Sequence, residues 1–442
     1  MTLGIAQLLV VGGGPAGSAV LLAASRVGAL RELCAGGLVI VEQGRRLGAG
    51  SLGRYDINSD STAGTFLASV VAHPDPRVAM AAEGAAGRAM AAQPAQSAVR
   101  LSLAAAFIDD VGAAVQVAAA TAGARILTGH TVLGLQREQN VWVARLRAAN
   151  GATETVLARN VVIATGGVQG EAETRDIVTA GGPLGAICGE RLMLSDALLV
   201  EGGVAALSAR LAAVGRPRVA VLGGSTSALA AVKLVLASDV GARLEPGGLA
   251  LVHRRKLRPF YRTATDARLD GFSDFVANDI CPVSGFVYRL GGLRLDAREI
   301  VLRALQVGGR KPDRRLRLVR PAESALGLRA LQAAHVVIAA TGYRPRALPV
   351  AAADSTPIRL RTDNPRVPMV DGACRVLDAA GAPLPGLYGI GLAAGFVPHG
   401  AMGGEKSFVG QANGLWLWQN DVGAMIIEQV RREPGDARRL VA

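Results

Sequence analysis

The chain has 442 residues, half of them apolar and 4% aromatic, and carries a formal net charge of +13. That length supports two to three domains with a large core, and no run reads as long and charge-free enough to cross a bilayer. The basic residues are mostly scattered arginines with few aromatics beside them to stack on bases, which speaks against nucleic acid and for anionic small molecules.

Four widely spaced cysteines, Cys34, Cys188, Cys281 and Cys374, form no close pair. This argues against a redox dithiol, a zinc ribbon or a disulfide framework, and suits a reducing cytoplasm with no metal site. Residues 8–11 read as a buried strand that runs into Gly12, Gly14 and Gly17 and then a helix over 18–31. In this G-x-G-x-x-G spacing, Gly12 permits the turn, Gly14 lets the backbone approach a pyrophosphate and Gly17 lets the helix pack on the strand. The helix N-terminus then faces the phosphates. A second apolar run, 38–41, ends in Glu42, a carboxylate placed to take ribose hydroxyls. The spacing to Glu42 is long, and the surplus is expected as a loop over 32–37.

Next comes a Gly/Arg loop containing Arg54 and Tyr55, then the polar run 56–61 with Asn58. That run suits either a ring system or substrate, or a solvated turn. An Ala-rich stretch follows, helical in spacing over 97–121, with Met80 and Met90 expected in the core. Alternation over 125–162 predicts an antiparallel meander with turns at 138–140 and 150–151, then a buried strand over 161–163 leaving through Ala164, Thr165 and Gly166. Residues 171–189 read as a crossing loop and 195–214 as a helix.

A second nucleotide signature, Gly223, Ser225 and Ala228, follows the strand 218–222. Its next strand, 250–252, ends in His253, Arg254, Arg255 and Lys256, a basic cluster suited to an adenosine 2′-phosphate, hence NADP over NAD. Residues 296–307 read as a helix. The strand 333–341 ends on Ala340 and Thr341 and leaves through Gly342 and Tyr343, a second Ala-Thr-Gly exit. Near the C-terminus a glycine-rich strand reaches Gly391 and Leu392, a loop over 396–406 carries His399, and a helix over 407–431 carries Trp416 and Trp418.

The two signatures, the two Ala-Thr-Gly exits and the terminal Gly389-Ile390-Gly391 together resemble the two-dinucleotide-binding-domain flavoproteins. The resemblance spans most of the chain. It implies an α/β fold of two Rossmann-like domains, with FAD on 1–175 and 335–442 and NADPH on an inserted domain, 176–334. FAD would then meet Gly12, Gly14, Gly17, Glu42, Arg54, Thr165, Gly166, Gly391 and Leu392, and NADPH would meet Gly223, Ser225, Ala228, Arg254 and Arg255. Leu392 cannot accept a hydrogen bond from the ribityl chain, so backbone is expected to do so there.

Within that group, Ala340-Thr341-Gly342-Tyr343 and Phe275-Val276-Ala277-Asn278 resemble motifs of the N-hydroxylating flavin monooxygenases, the ornithine and lysine N-hydroxylases. The likeness implies oxygenation of a small amine by dioxygen through a flavin C4a-hydroperoxide, with Asn278 a substrate contact. Tyr55, Asn58 and His399 are the other candidate site residues; their plain alternative is loop packing and a surface histidine. The same motifs also permit an NAD(P)H-dependent flavin reductase or oxidase without oxygen insertion, or a non-catalytic flavoprotein. A small-molecule substrate, no nucleic acid, no membrane, and a monomer or homo-oligomer complete the expectation.

Overall fold

Each glycine turn joins a buried parallel strand to a helix, and a sheet is built around each strand. The protein is described from a computed structural model covering residues 4–363, 367–391, 394–410 and 422–432.

The first sheet has nine strands. Strand β1 (Ala6–Val11) lies parallel to β2 (Leu38–Glu42), with Leu8 opposite Leu38. Leu8, Leu9 and Val10 are fully buried, as expected of a strand covered on both faces. Helix α1 (Pro15–Arg26) has proline in its first turn, where a missing N–H costs nothing. It stops short of residue 31. The stretch expected as a loop before β2 contains a second helix, α2 (Leu30–Ala35), because Leu30, Leu33 and Cys34 have a core to enter.

Strand β3 (Asn58–Thr62) pairs antiparallel with β4 (Ala98–Arg100), which leads into α3 (Leu101–Thr121). By length and composition α3 is long and apolar enough to cross a membrane, contrary to the expectation that no run is. Phe107, Ile108, Val111 and Val115 bury its inner face in the core. Met90 is buried as expected, whereas Met80 is 62% exposed. Strand β5 (Arg125–Thr128) joins the far edge of the sheet beside β2. The meander is β6 (His130–Glu138), β7 (Val141–Ala148) and β8 (Thr153–Ile163). Strand β8 is a single long element: it pairs with β7 in its first half and with β1 in its second, so it welds the meander to the parallel sheet.

The second sheet is parallel and five-stranded. Its strands are β9 (Leu192–Leu194), β10 (Val219–Leu222), β11 (Leu249–Val252), β12 (Leu316–Val319) and β13 (Val336–Ala339), in the order β9-β13-β10-β11-β12. Strand β13 sits between β9 and β10, with Val337 opposite Leu192 and Ala220. The second unit therefore runs past residue 335, because its sheet is incomplete without β13.

The helix expected over 195–214 is two, α4 (Ser195–Leu199) and α5 (Gly203–Arg210). Between them the backbone turns at Gly202, φ +78°, to hydrogen-bond with the first unit: Asp56 N to Leu199 O and Glu201 N to Arg54 O. Helix α6 (Thr226–Ala237) follows the second glycine turn, and α7 (Leu295–Ala304) crosses beside it. Chain returns to the first unit along Arg344-Pro345, which pairs with the outgoing Gly167-Val168. Strand β14 (Pro383–Gly389) then lies beside β8. The described part of the last helix is α8 (Val422–Arg432), which packs on α1. Residues 407–410 are not helical, and Trp416, Trp418 and Leu392 lie outside the described residues.

Candidate active site

The first cradle is built by steric necessity. A Cβ on Gly17 would sit 1.9 Å from Gly12 O, and one on Gly12, at φ +101°, 2.5 Å from Ala164 O. Gly14 is different: the nearest atom to its Cβ position is Gly50 Cα at 3.8 Å. Open space therefore lies at the N-terminus of α1, where a pyrophosphate meets free N–H groups. Glu42 Oε2 accepts from Gly13 N and Oε1 from Gly44 N, both at 2.6 Å. The carboxylate ties the two loops of the cradle, and its remaining lone pairs stay available to a ribose. Gly391 closes the other side: its Cβ would stand 2.7 Å from Ala16 Cβ. These residues fit a dinucleotide. Thr165 donates instead to Arg346 O, and Arg346 N to Gly166 O, so the first Ala-Thr-Gly exit is laced to the return crossover.

The second cradle repeats the logic with one change. A Cβ on Gly223, at φ +143°, would meet Ala340 O at 2.3 Å, while Ser225 is exposed at the start of α6 and Ala228 is buried against the sheet. Beside Gly224 lies His253, buried. Its Nδ1 faces Arg255 O at 2.7 Å and must donate to it, so Nε2 is a buried acceptor with no partner among the described residues. Burial also holds its pKa below the ordinary histidine value. An orphaned acceptor at the end of β11 suits a ribose hydroxyl.

The basic cluster does not act as a block. Arg255 donates to Val409 O, and Lys256 turns to Asp274 at 3.1 Å and Asp279 at 3.7 Å. Arg254 is exposed at the strand end, 3.9 Å from Glu323, and is the side chain best placed for a 2′-phosphate.

Between the cradles the two units meet at Asp196, the second residue of α4. Asp196 Oδ1 accepts from Tyr55 Oη at 2.5 Å and from Tyr343 Oη at 3.0 Å, while Oδ2 takes Arg54. Gln169 Oε1 accepts from Asp196 N at 3.0 Å and fixes the start of the helix. Burial alone would raise the Asp196 pKa, but the Tyr55 and Arg54 hydrogen bonds override it and hold the carboxyl below its usual range. Burial and the partner Tyr55 push the Tyr343 hydroxyl far up, so it stays protonated as a donor. Arg54, expected at FAD, is thus spent on an interdomain ion pair.

The candidate site residues do not all converge. Tyr55 is in this cluster. Asn58 Nδ2 donates to Asp296 Oδ2 at 2.9 Å, across the junction to α7. Asn278 is exposed on the 277–279 turn, whose carbonyl O accepts from Ser407 N. His399 is exposed and bound through Nε2 to Gly372 O at 2.9 Å, so it is part of the loop's own packing. Asp196 carries no local motif; only its partners were legible, Arg54 and Tyr55 as candidates and Tyr343 within the Ala-Thr-Gly-Tyr exit.

No family model matches the chain. Among curated proteins it is similar to the CMP-5′-(3-aminopropyl)phosphonate hydroxylase of Streptomyces rubellomurinus, 30% identical over 442 residues, covering 95% of this chain and 96% of that protein. The chain belongs to this hydroxylase family. It is an enzyme, a hydroxylase, and the residues of its two cradles suit two dinucleotides. Solved structures agree on the fold. The hydroxylase matches the Kutzneria sp. 744 ornithine N-hydroxylase with reduced FAD, NADP+ and L-ornithine (TM-score 0.50, 16% identity, 97% and 99% of the two chains). It also matches the reduced ornithine hydroxylase of Pseudomonas aeruginosa (TM-score 0.55, 11% identity, 97% and 99%).

Proposed function

We propose that the hydroxylase N-hydroxylates the primary amine of a small substrate that also carries a phosphonate or comparable anion. The relative from Streptomyces rubellomurinus acts on an aminopropylphosphonate joined to CMP, and it aligns over nearly the whole of both chains. That full-length likeness carries the reading. The net reaction consumes the amine, dioxygen, NADPH and a proton, and yields a hydroxylamine, NADP+ and water. Bound FAD supplies oxygen activation.

The chain's own residues bind, orient and exclude water. Gly12, Gly14 and Gly17 admit the FAD pyrophosphate to the α1 N-terminus, and Glu42 holds that turn closed. Gly223, Ser225 and Ala228 do the same for NADPH, with Arg254 toward its 2′-phosphate. Asp196 fixes the angle between the units, hence the approach of nicotinamide to flavin; a misplacement of about 1 Å is enough to cost roughly a hundredfold in rate. Asn278 is a candidate contact at the rim, joined through Ser407 to the 405–407 loop.

The test is direct. Holoenzyme is incubated in air with NADPH and either CMP-5′-(3-aminopropyl)phosphonate, free 3-aminopropylphosphonate or L-ornithine, and products are read by mass. A gain of one oxygen atom on an amine supports the reading. NADPH consumption that yields only peroxide with every amine overturns it.

A further inference from the structure

At the junction, β3, α6 and the start of α7 enclose a cavity whose charged lining is Asp56, Asp60, Arg100, Lys233, Arg294 and Asp296. Thr226, which opens α6 at the second cradle, lines it, and its β3 wall follows Tyr55 of the Asp196 cluster. Four of these charges satisfy one another. Arg100 pairs with Asp56, and Asp296 Oδ2 accepts from Lys233 Nζ at 2.5 Å as well as from Asn58.

Asp60 and Arg294 do not. They are half-buried and near enough for each to feel the other's charge, yet among the described residues neither forms an ion pair. Arg294 donates to Arg289 O at 2.7 Å and lies 4.4 Å over the Phe260 ring, which leaves most of its five donors unused. Among the described residues the Asp60 carboxylate accepts from no other side chain. Removing an opposed carboxylate and guanidinium from water without joining them is costly. A ligand carrying one charge of each sign removes that cost.

We propose that this cavity receives the substrate, with Asp60 taking its ammonium group and Arg294 its anionic group. The assignment rests on the amine hydroxylation proposed above and adds the residues that select the substrate. An ammonium ion has no lone pair with which to attack, so it must lose a proton first. That proton passes from nitrogen to an Asp60 carboxylate oxygen: the N–H bond breaks, an O–H bond forms, and the electron pair remains on nitrogen. Burial raises the Asp60 pKa despite Arg294, which suits a carboxylate that must hold a proton.

The test is calorimetric binding to FAD-loaded protein, without NADPH or turnover. The probes are 3-aminopropylphosphonate, its CMP ester and L-ornithine, each beside its analogue lacking the reacting amine. Wild type is expected to bind the best zwitterion about tenfold tighter than its des-amino analogue. Asp60→Asn should erase that difference, and Arg294→Gln should weaken both members of the pair equally. Flavin absorbance and melting temperature confirm folding, and Arg294→Lys should restore part of the affinity. Retention of the amine preference in Asp60→Asn, unchanged affinity in Arg294→Gln, or no binding of any zwitterion overturns the assignment. Binding that depends on both residues but leads to no oxygenated product keeps the pocket and rejects the reaction. Oxygenation with unchanged KM in both variants does the reverse.

Discussion

Asp60 and Asp196 are two aspartates at one domain junction with opposite surroundings. Asp196 accepts from Tyr55, Tyr343 and Arg54, and its pKa is held down although burial opposes it. Asp60 has the field of Arg294 and a hydrogen bond from its own backbone to offset its burial, and its pKa is raised all the same. The carboxylates are chemically the same; the donors delivered to them differ. A carboxylate with every donor in place joins structure to structure, and one left short of donors beside an equally underused arginine is an address for a ligand. The contrast separates a clasp from a pocket within one interface.

The largest break in this comparison is Asp196→Ala. It strips three donors of their shared acceptor at once, and hydrogen bonds to charged groups contribute about 1.5–3 kcal/mol each when well formed. Arg54 is half-exposed and contributes the least of the three. We expect the melting temperature to fall by several degrees, and flavin reduction by NADPH in stopped flow to slow by about tenfold or more as the units lose their fixed angle. Unchanged reduction kinetics with a lowered melting temperature would show that the clasp stabilises the protein without positioning the cofactors.

The two aspartates should next be told apart by pH, with opposite signs. The folded pKa of Asp196 lies below its unfolded value, so its stabilisation is present above about pH 4 and is lost as pH falls through the folded value. The folded pKa of Asp60 lies above its unfolded value. Its ionisation therefore costs stability as pH rises from about 4 through the folded value. Asp196→Asn should then destabilise at neutral pH and matter little in acid. Asp60→Asn should stabilise at neutral pH and be neutral in acid. Denaturant melts from about pH 4 to pH 8 measure both, and slopes of the same sign for the two variants would dissolve the distinction.

How much of this was readable from residues alone follows the range of each interaction. The cradles were legible because Gly12, Gly14 and Gly17 act on atoms a few residues away and on the strand beside them. The order of the second sheet was less so, since β13 is placed by pairing with β9 and β10, far apart in the chain. The break between α4 and α5 was hidden because Gly202 turns there to serve the backbone of Arg54 and Asp56. The basic run His253 to Lys256 read as one phosphate clamp, yet Arg255 and Lys256 are claimed by Val409, Asp274 and Asp279, which no local spacing reveals. Asp196 meets Tyr55 from 141 residues away and Tyr343 from 147, so only the fold assembles that cluster.

The smallest effect sharpens the comparison most. Tyr343→Phe removes a 3.0 Å hydrogen bond, while Tyr55→Phe removes one of 2.5 Å on the same Asp196 oxygen. Neither leaves the carboxylate bare, since Arg54 and the other tyrosine remain. Each single change should therefore cost about 0.5–1.5 kcal/mol, with Tyr55→Phe the more costly. The two hydroxyls lie 3.5 Å apart and share one acceptor, so their losses should not add. In a double-mutant cycle with Asp196→Ala, a clasp predicts coupling of both tyrosines to the aspartate, because either hydroxyl loses its acceptor once the carboxylate is gone. Additive losses would mean that the tyrosines are held by their packing, and that Asp196 is a charge buried at the junction rather than the point where the two units are fastened.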